Sequence, residues 1–432
     1  MGRAVWGEEL LIMLCPVSQL SDLRQQVPFD LALLPPQACL VGGAVRDALL
    51  GRRREYLDWD FVLPERAVET AQAIAARYRA GFVILDKVRQ IARVVFPHGT
   101  VDFAQQEGES LEQDLARRDF TVNAIAYNFQ QNHLIDPLLG VKDLEQGHLK
   151  MVTQENLADD PLRLLRAYRQ AAQLQFALEP HTRISLQQLA PRIQFVAAER
   201  VQAEFNYLLG SPRGSQWLLA AWQDGLLSYW FPHANLGSLS AIGCIDLAIA
   251  AIKNQLTLPE RQQFFQGLGK KGIAITKLAS LVAADPTTAE SELQRLKYSR
   301  HELRSVQSIL QAYPQLQGLR QGATVRHLYF FFAELGKYFP HFVLYSLAHV
   351  PHDYHSFLFE LLDHYLDVAN PLAHPRSLIT GKDLIDQLQM KPSPLIGHLL
   401  TEVQIAQIEG KVQTIPQALA YARHLIDSHF EY

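Results

Sequence analysis

The chain has 432 residues, 48% of them hydrophobic and 19% charged, with a formal net charge of −4. That length holds two to four compact units, and the composition excludes a disordered or fibrous chain. A negative balance excludes an overall basic field, so contact with nucleic acid requires local clusters of Lys and Arg. Cys15, Cys39 and Cys244 lie far apart, which excludes a disulfide framework or a zinc motif and fits a reducing, cytoplasmic setting. Leu10–Leu14 is too short for a signal-peptide core, and no run is expected to approach membrane-spanning length.

Residues 1–37 read as an N-terminal extension ending in Pro35-Pro36. Leu40 and Val41 end a strand. Gly42 and Gly43 then allow a tight turn and close approach of the backbone to a ligand, because they lack Cβ. Ala44 to Leu50 is expected to form two helical turns, with Gly51 at the left-handed position that ends a helix. The N–H groups at that helix start favour a phosphate. After a basic turn comes Leu57-Asp58-Trp59-Asp60-Phe61. Side chains alternate faces along a strand, so Asp58 and Asp60 share one face and Leu57, Trp59 and Phe61 the other. Two adjacent carboxylates repel, and a hard divalent cation such as Mg²⁺ offsets that repulsion.

Val68–Arg77 is read as a helix, and Phe82–Leu85, Ile91–Phe96 and Thr100–Ala104 as strands of a small antiparallel or mixed sheet. Asp102 on the last strand is either a third carboxylate of the site or an edge-strand acid. Ser110 opens a helix as a capping box with Gln113. Arg117 and Arg118 follow, and guanidinium groups suit triphosphate oxygens.

From residue 150 the pattern is almost entirely helical. In Asp159-Asp160-Pro161-Leu162-Arg163, the residues at 160 and 163 are neighbours on a helix surface. Asp160 offers acceptors and Arg163 donors, which together match the Watson–Crick edge of cytosine or adenine but not uracil or guanine. Asp160 next to Pro161 is equally placed to cap the helix. Arg166 and Arg169 continue around the helix toward phosphate, base or solvent. Glu199-Arg200 reads as a brace for the pair at 160 and 163. Trp217, Trp222, Trp230 and Phe231 have core-like spacing.

Taken together, G-G-x-x-R-D-x-L-L-G (42–51), D-x-D (58–60), R-R-D-F-T-x-N-A (117–124), D-P-x-x-G with a later D-L (136–144) and D-D-x-x-R (159–163) resemble the class II tRNA nucleotidyltransferases and bacterial poly(A) polymerases. These belong to the polymerase-β-like nucleotidyltransferase superfamily. Asp159 stands where that family usually has Glu, and Ser393 where its tail usually has Gly. The resemblance implies an α+β fold, with a small-sheet nucleotidyltransferase head (38–148) followed by an all-α neck (149–205), body (206–370) and tail (371–432). It implies Asp58 and Asp60 as catalytic metal ligands for Mg²⁺. It also implies Gly42, Gly43, Arg46, Arg118, Asp160, Arg163, Arg166 and Arg169 as nucleotide-binding residues, and the tRNA 3′ end with CTP, and ATP as a further option, as substrates. Only Gln105 to Ser110 separate the 101–104 strand from the next helix, where full CCA-adding relatives carry a longer flexible loop. That shortness marks the CC-adding subgroup, whose product a separate A-adding enzyme completes. The alternatives are complete CCA addition, poly(A) synthesis, or a catalytically inactive RNA-binding protein on the same fold.

Overall fold

The computed structural model describes residues 17–52, 57–211 and 213–429. Cys15, the first part of the N-terminal extension and residues 53–56 of the basic turn lie outside the described residues. The chain divides into one unit ending at Tyr229 and a second beginning at Trp230.

The first unit begins with a mixed seven-stranded sheet. Its strands are β1 (Cys39–Val41), β2 (Leu57–Leu63), β3 (Gly81–Asp86), β4 (Ile91–Phe96), β5 (Gly99–Gln105), β6 (Ala126–Asn128) and β7 (His133–Ile135). Their order is β3-β4-β5-β2-β1-β6-β7. Only β2 and β5 pair in parallel; the other neighbours are antiparallel. The parallel pair is reached by a crossover through helix α2 (Ala67–Tyr78) and the β3–β4 hairpin. Strands β6 and β7 were not expected, because three-residue strands carry too little alternation to read.

Period-two alternation sets the two faces of β2. Trp59, Phe61 and Leu63 are buried. The rings of Phe29, Phe61 and Phe103 lie 5.7–5.8 Å apart, centroid to centroid, and form the aromatic core of that face. The opposite face exposes Asp58 and Asp60 but buries Val62 against Cys39, Val41, Leu115 and Ala124. One end of this face is therefore core and the other is open.

Two sequence expectations shift here. Helix α1 covers Gly43–Leu49, one residue early, with Gly51 at φ +64°. Helix α3 (Leu111–Ala116) is capped by Ser110, which accepts from the Gln113 N–H at 3.4 Å. The reciprocal half of the capping box is missing: the Gln113 side chain accepts from the Glu109 N–H at 2.8 Å. It serves the preceding segment instead.

After α4 (Gly140–Glu145), strand β8 (His148–Leu149) pairs in parallel with β9 (Ala177–Leu178). Between these two strands lie α5 (Gln154–Asp159) and α6 (Leu162–Leu174); α7 (Pro180–Leu189), α8 (Ala198–Gly210) and α9 (Gly214–Gln223) follow. Helix α6 packs on α8 and α9, and its Leu164, Leu165, Tyr168 and Ala171 are buried. The Tyr168 hydroxyl donates to Asp224 at 2.7 Å, and Arg183 and Gln187 donate to the same carboxylate. Helix α8 runs unbroken through 205 and 206, where a boundary was expected.

The second unit is all helical. Helix α10 (Leu236–Gln255) is long and apolar enough, by length and composition, to cross a membrane, with a mean hydropathy of 1.6. This corrects the expectation that no run approaches that length. Single polar residues such as Ser240 and Asp246 obscure the run in the sequence. One face of α10 (Leu239, Ile242, Ile245, Ile252) is buried, and Asp246 pairs with the buried Lys277 at 2.7 Å. The helix Phe339–His349 buries nine of its residues, with Phe339, Phe342, Val343 and Leu344 fully buried among them. Residues 379–426 enclose a smaller core of their own around Leu384, Val403 and Ala418. Cys39 and Cys244 are free.

Candidate active site

The site lies on the open end of β2. In the register of the sheet, Asp58 faces Thr100 and Asp60 faces Asp102, while Arg93 stands opposite Asp102 on the other side. The Thr100 hydroxyl donates to Asp58. Arg93 grips Asp102 with two bonds of 2.7 and 2.8 Å. Asp102 thus sits beside Asp60 but is already neutralised by an arginine, which leaves Asp58 and Asp60 as the carboxylates without such a partner.

Asp60 is open to the cleft on one side and enclosed by protein on the others. This enclosure pushes its carboxyl up to about 6; Arg118 opposes the shift, and the Asp102 and Asp58 charges add to it. Two hard oxygen donors side by side, one of them strained toward its neutral form, fit a divalent cation, whose charge reverses that shift.

Gly42 closes the site from β1. Its φ of +73° and ψ of −135° suit only glycine, and a Cβ there would stand 3.2 Å from Arg118 Nη1 and 3.7 Å from Asp60 Oδ2. Gly42, Asp60 and Arg118 therefore meet at one point. Arg118 also donates to Asp114 at 3.3 Å, and its buried Nε has no hydrogen-bond partner. Gly43 begins α1.

Arg46 is placed differently from a free phosphate ligand. It is buried, and it binds Asp47 at 2.8 Å and Asn123 at 2.6 Å. Asn123 in turn donates to Asp119 (2.8 Å) and Gln170 (3.0 Å). Burial pushes the Asp119 carboxyl up, but Arg166, Asn123 and the Phe120 N–H outweigh it and hold the group below the usual range. Arg166 reaches Asp119 at 3.4 Å and Glu204 at 3.6 Å, and Arg169 binds Glu204 at 2.5 Å. Neither arginine is simply solvated. Asp119, Asn123, Gln170 and Glu204 are thus part of the site's wall. The first two stood inside a quoted motif; Gln170 lies one further turn along the helical face of Arg163 and Arg166.

The Arg163 N–H donates to the Asp160 carbonyl at 2.9 Å, but their side chains are not bonded to each other. Asp160 weakly caps α6 through the Leu162 N–H (3.3 Å) and accepts from Arg200 at 2.9 Å. Arg163 Nη1 donates to the carbonyls of Arg117 (2.9 Å) and Asn156 (3.0 Å), which fixes the guanidinium plane and leaves its other N–H donors facing away from those carbonyls.

The short segment before α3 is tied at nearly every residue. Gln106 N–H donates to Leu63 O (2.7 Å), Glu107 N–H to Asp114 (3.1 Å) and Glu109 N–H to Gln113 (2.8 Å). The Glu107 carboxylate binds Arg117 at 2.6 Å. Since the Arg117 carbonyl holds Arg163, the segment is linked through one residue to the arginine beside Asp160.

Residues 38–150 match the poly(A) polymerase head domain, 268–422 match tRNA nucleotidyltransferase domain 2, and 175–236 match an RNA- and SrmB-binding site of polymerase A. A CC-adding tRNA nucleotidyltransferase from Synechocystis sp. is 80% identical over 96% of this chain and 99% of its own length. One from Geobacter sulfurreducens is 30% identical, covering 89% and 91%. The structure of a CCA-adding enzyme with CTP superposes with a TM-score of 0.72 at 20% identity, covering 91% of each chain, and so shares the fold. The carboxylate pair, the glycine turn and the arginine-lined wall thus belong to a nucleotidyltransferase, and the chain is a member of the tRNA nucleotidyltransferase family.

Proposed function

We propose that this enzyme adds cytidylate residues from CTP to the 3′ end of tRNA without a nucleic-acid template, and leaves the terminal A to a separate A-adding enzyme. The observation that carries this reading is the 80% identity, over nearly the whole of both chains, to a CC-adding enzyme. The tied segment Gln105–Ser110 supports it physically. A pocket set for a pyrimidine must rearrange to take a purine, and a rearrangement needs a mobile element. Here the segment is bonded to β2, to α3 and, through Arg117, to Arg163.

In this reading Asp58 and Asp60 hold Mg²⁺, which when bound lowers the pKa of the 3′-hydroxyl and neutralises charge on the leaving pyrophosphate. Arg118 and the Gly42 backbone receive the triphosphate. Arg163 presents donors to cytosine N3 and O2, and Asp160 accepts from its N4 amine. Arg200 keeps Asp160 oriented. Arg46, Asn123 and Asp119 hold the sheet against α6, so that the phosphate and base positions keep a fixed separation. The protein works in the cytoplasm, where tRNA and CTP are available.

The test is end-addition to three tRNA transcripts, ending before CCA, after C and after CC, each offered CTP or ATP alone. CTP is expected to extend the first two, and ATP none. Efficient addition of A to the transcript ending in CC makes the protein a complete CCA-adding enzyme instead.

A further inference from the structure

A cavity of about 640 Å³ opens from Asp58 between the sheet and α6, within the usual range for ligand clefts of about 300–1,000 Å³. Arg52, Arg169 and Tyr207 line it, but Gly42, Asp60, Arg118, Asp160 and Arg163 do not. Apart from Asp58, none of the residues that the functional reading places on the incoming nucleotide lines it, while Arg46 and Arg169, two of the arginines first expected to bind nucleotide, do. Tyr207 and Gln173 also line a second cavity of about 400 Å³, which ends at Arg213. The two share Gln173 and Tyr207, so together they make a track from Asp58 to Arg213.

Tyr207 stands where the two cavities meet. Its side chain is 63% exposed. Along the outward face of α8 its neighbours are Ala203 and Gly210, whose small size leaves the ring uncovered. The Arg169 guanidinium lies over the ring, 5.8 Å from its centroid, and is held there by Glu204 and Gln173. Arg52 donates to the carbonyls of Gln173 (3.0 Å) and Leu174 (3.1 Å), and among the described residues no carboxylate forms an ion pair with it. Of the three acids of the track, Asp47 and Glu204 are paired with Arg46 and with Arg166 and Arg169, and Asp58 accepts from the Thr100 hydroxyl. An exposed aromatic ring flanked by arginines along a groove is the arrangement that binds unpaired nucleic acid by stacking and charge.

We propose that this track seats the single-stranded 3′ end of the acceptor RNA, with a base just upstream of the reactive hydroxyl stacked on Tyr207 and the backbone following Arg52 and Arg213. The proposal rests on the tRNA nucleotidyltransferase reading. It makes Tyr207 a positioning residue for the acceptor, not for CTP.

The first experiment measures labelled-CTP incorporation into a tRNA transcript lacking CCA, using full-length protein. Tyr207→Ala is expected to raise the KM for tRNA about tenfold or more, the effect of losing one base–aromatic stack, and to leave the KM for CTP within twofold. Tyr207→Phe is expected to recover most of that loss. A second measurement omits CTP and metal: a short unpaired ribo-oligonucleotide carrying 2-aminopurine next to its 3′ end is titrated with protein. Quenching by the wild type and Tyr207→Phe, but not by Tyr207→Ala, is expected. An unchanged KM for tRNA in Tyr207→Ala, a rise in the KM for CTP instead, or equal quenching by all three proteins overturns the proposal. Failure of the wild type to incorporate CTP at all overturns the functional reading, while the oligonucleotide titration still decides whether the track binds RNA.

Discussion

Replacing Asp60 by Asn should abolish CTP incorporation and at the same time make the metal-free protein more stable. An Asp raised from its ordinary 3.8 to about 6 is a charge the fold disfavours. If the carboxylate were wholly enclosed, the cost at neutral pH would be about 3 kcal/mol, at about 1.4 kcal/mol per pKa unit. The carboxylate opens to the cleft on one side, and water there screens it, so about half of that figure is expected. For a unit of this size that is a rise in Tm of about 3–6 °C. The sign fixes the pH window. The folded state holds the proton more tightly than the unfolded one, so wild-type stability falls as pH rises from about 4 to 6. Asn cannot titrate, so the advantage of the mutant must grow across that interval and level off above it. Adding Mg²⁺ should stabilise the wild type and not the mutant. Thermal melts from pH 4 to 8, with EDTA or Mg²⁺, measure all of this. A mutant no more stable than wild type at pH 7.5 in EDTA, or a difference that ignores pH, would refute the reasoning.

Three further outcomes are expected. Asn123→Ala removes partners from Arg46, Asp119 and Gln170 at once and should cost about 2–4 kcal/mol, read by urea denaturation. Arg200→Ala breaks a half-exposed pair with Asp160, so it should cost under about 1 kcal/mol of stability but raise UTP incorporation relative to CTP several-fold in a competition assay. His341 in the second unit is buried, with its Nδ1 unpartnered. Burial, helped by the His301 charge, pushes its pKa down to about 4. The unfolded state therefore binds the extra proton between about 6.5 and 4, and stability should fall by up to about 3 kcal/mol as pH drops through that window; His341→Gln should flatten that slope in pH-dependent denaturation.

The strand carrying Asp58 and Asp60 was legible because alternation over the five residues Leu57 to Phe61 is a clear signal, and the helix after Gly42 because its ends carry distinct residues. What could not be read was where each charged side chain would turn. Arg46 is an arginine in the expected motif, yet it faces Asn123, 77 positions away. Asp160 was expected on one helical face with Arg163, yet it lies in extended backbone just before α6, and the two side chains are bonded elsewhere, because Arg200 and the Arg117 carbonyl come from segments whose approach depends on the tertiary fold. Asp102 was left open between two roles, and the choice turns on Arg93 in the neighbouring strand, a register that local pattern does not specify. Tyr207 has no sequence mark, since an exposed tyrosine on a helix stands out only beside the cavities it joins.

Arg46, Asn123, Asp119, Arg166, Glu204 and Arg169 form one chain of alternating donors and acceptors through the wall of the site. Such a chain constrains how the sequence can drift. Any single replacement strands a neighbour's charge in a place where water cannot fully reach it, so most one-step paths are closed even when the end point is sound. Changes at these positions have to arrive in pairs, with the loss of Glu204 tolerated mainly in the company of a change at Arg166 or Arg169. Measured separately and together, such substitutions should depart strongly from additivity, whereas exposed positions on the helices of the second unit are free to vary one at a time.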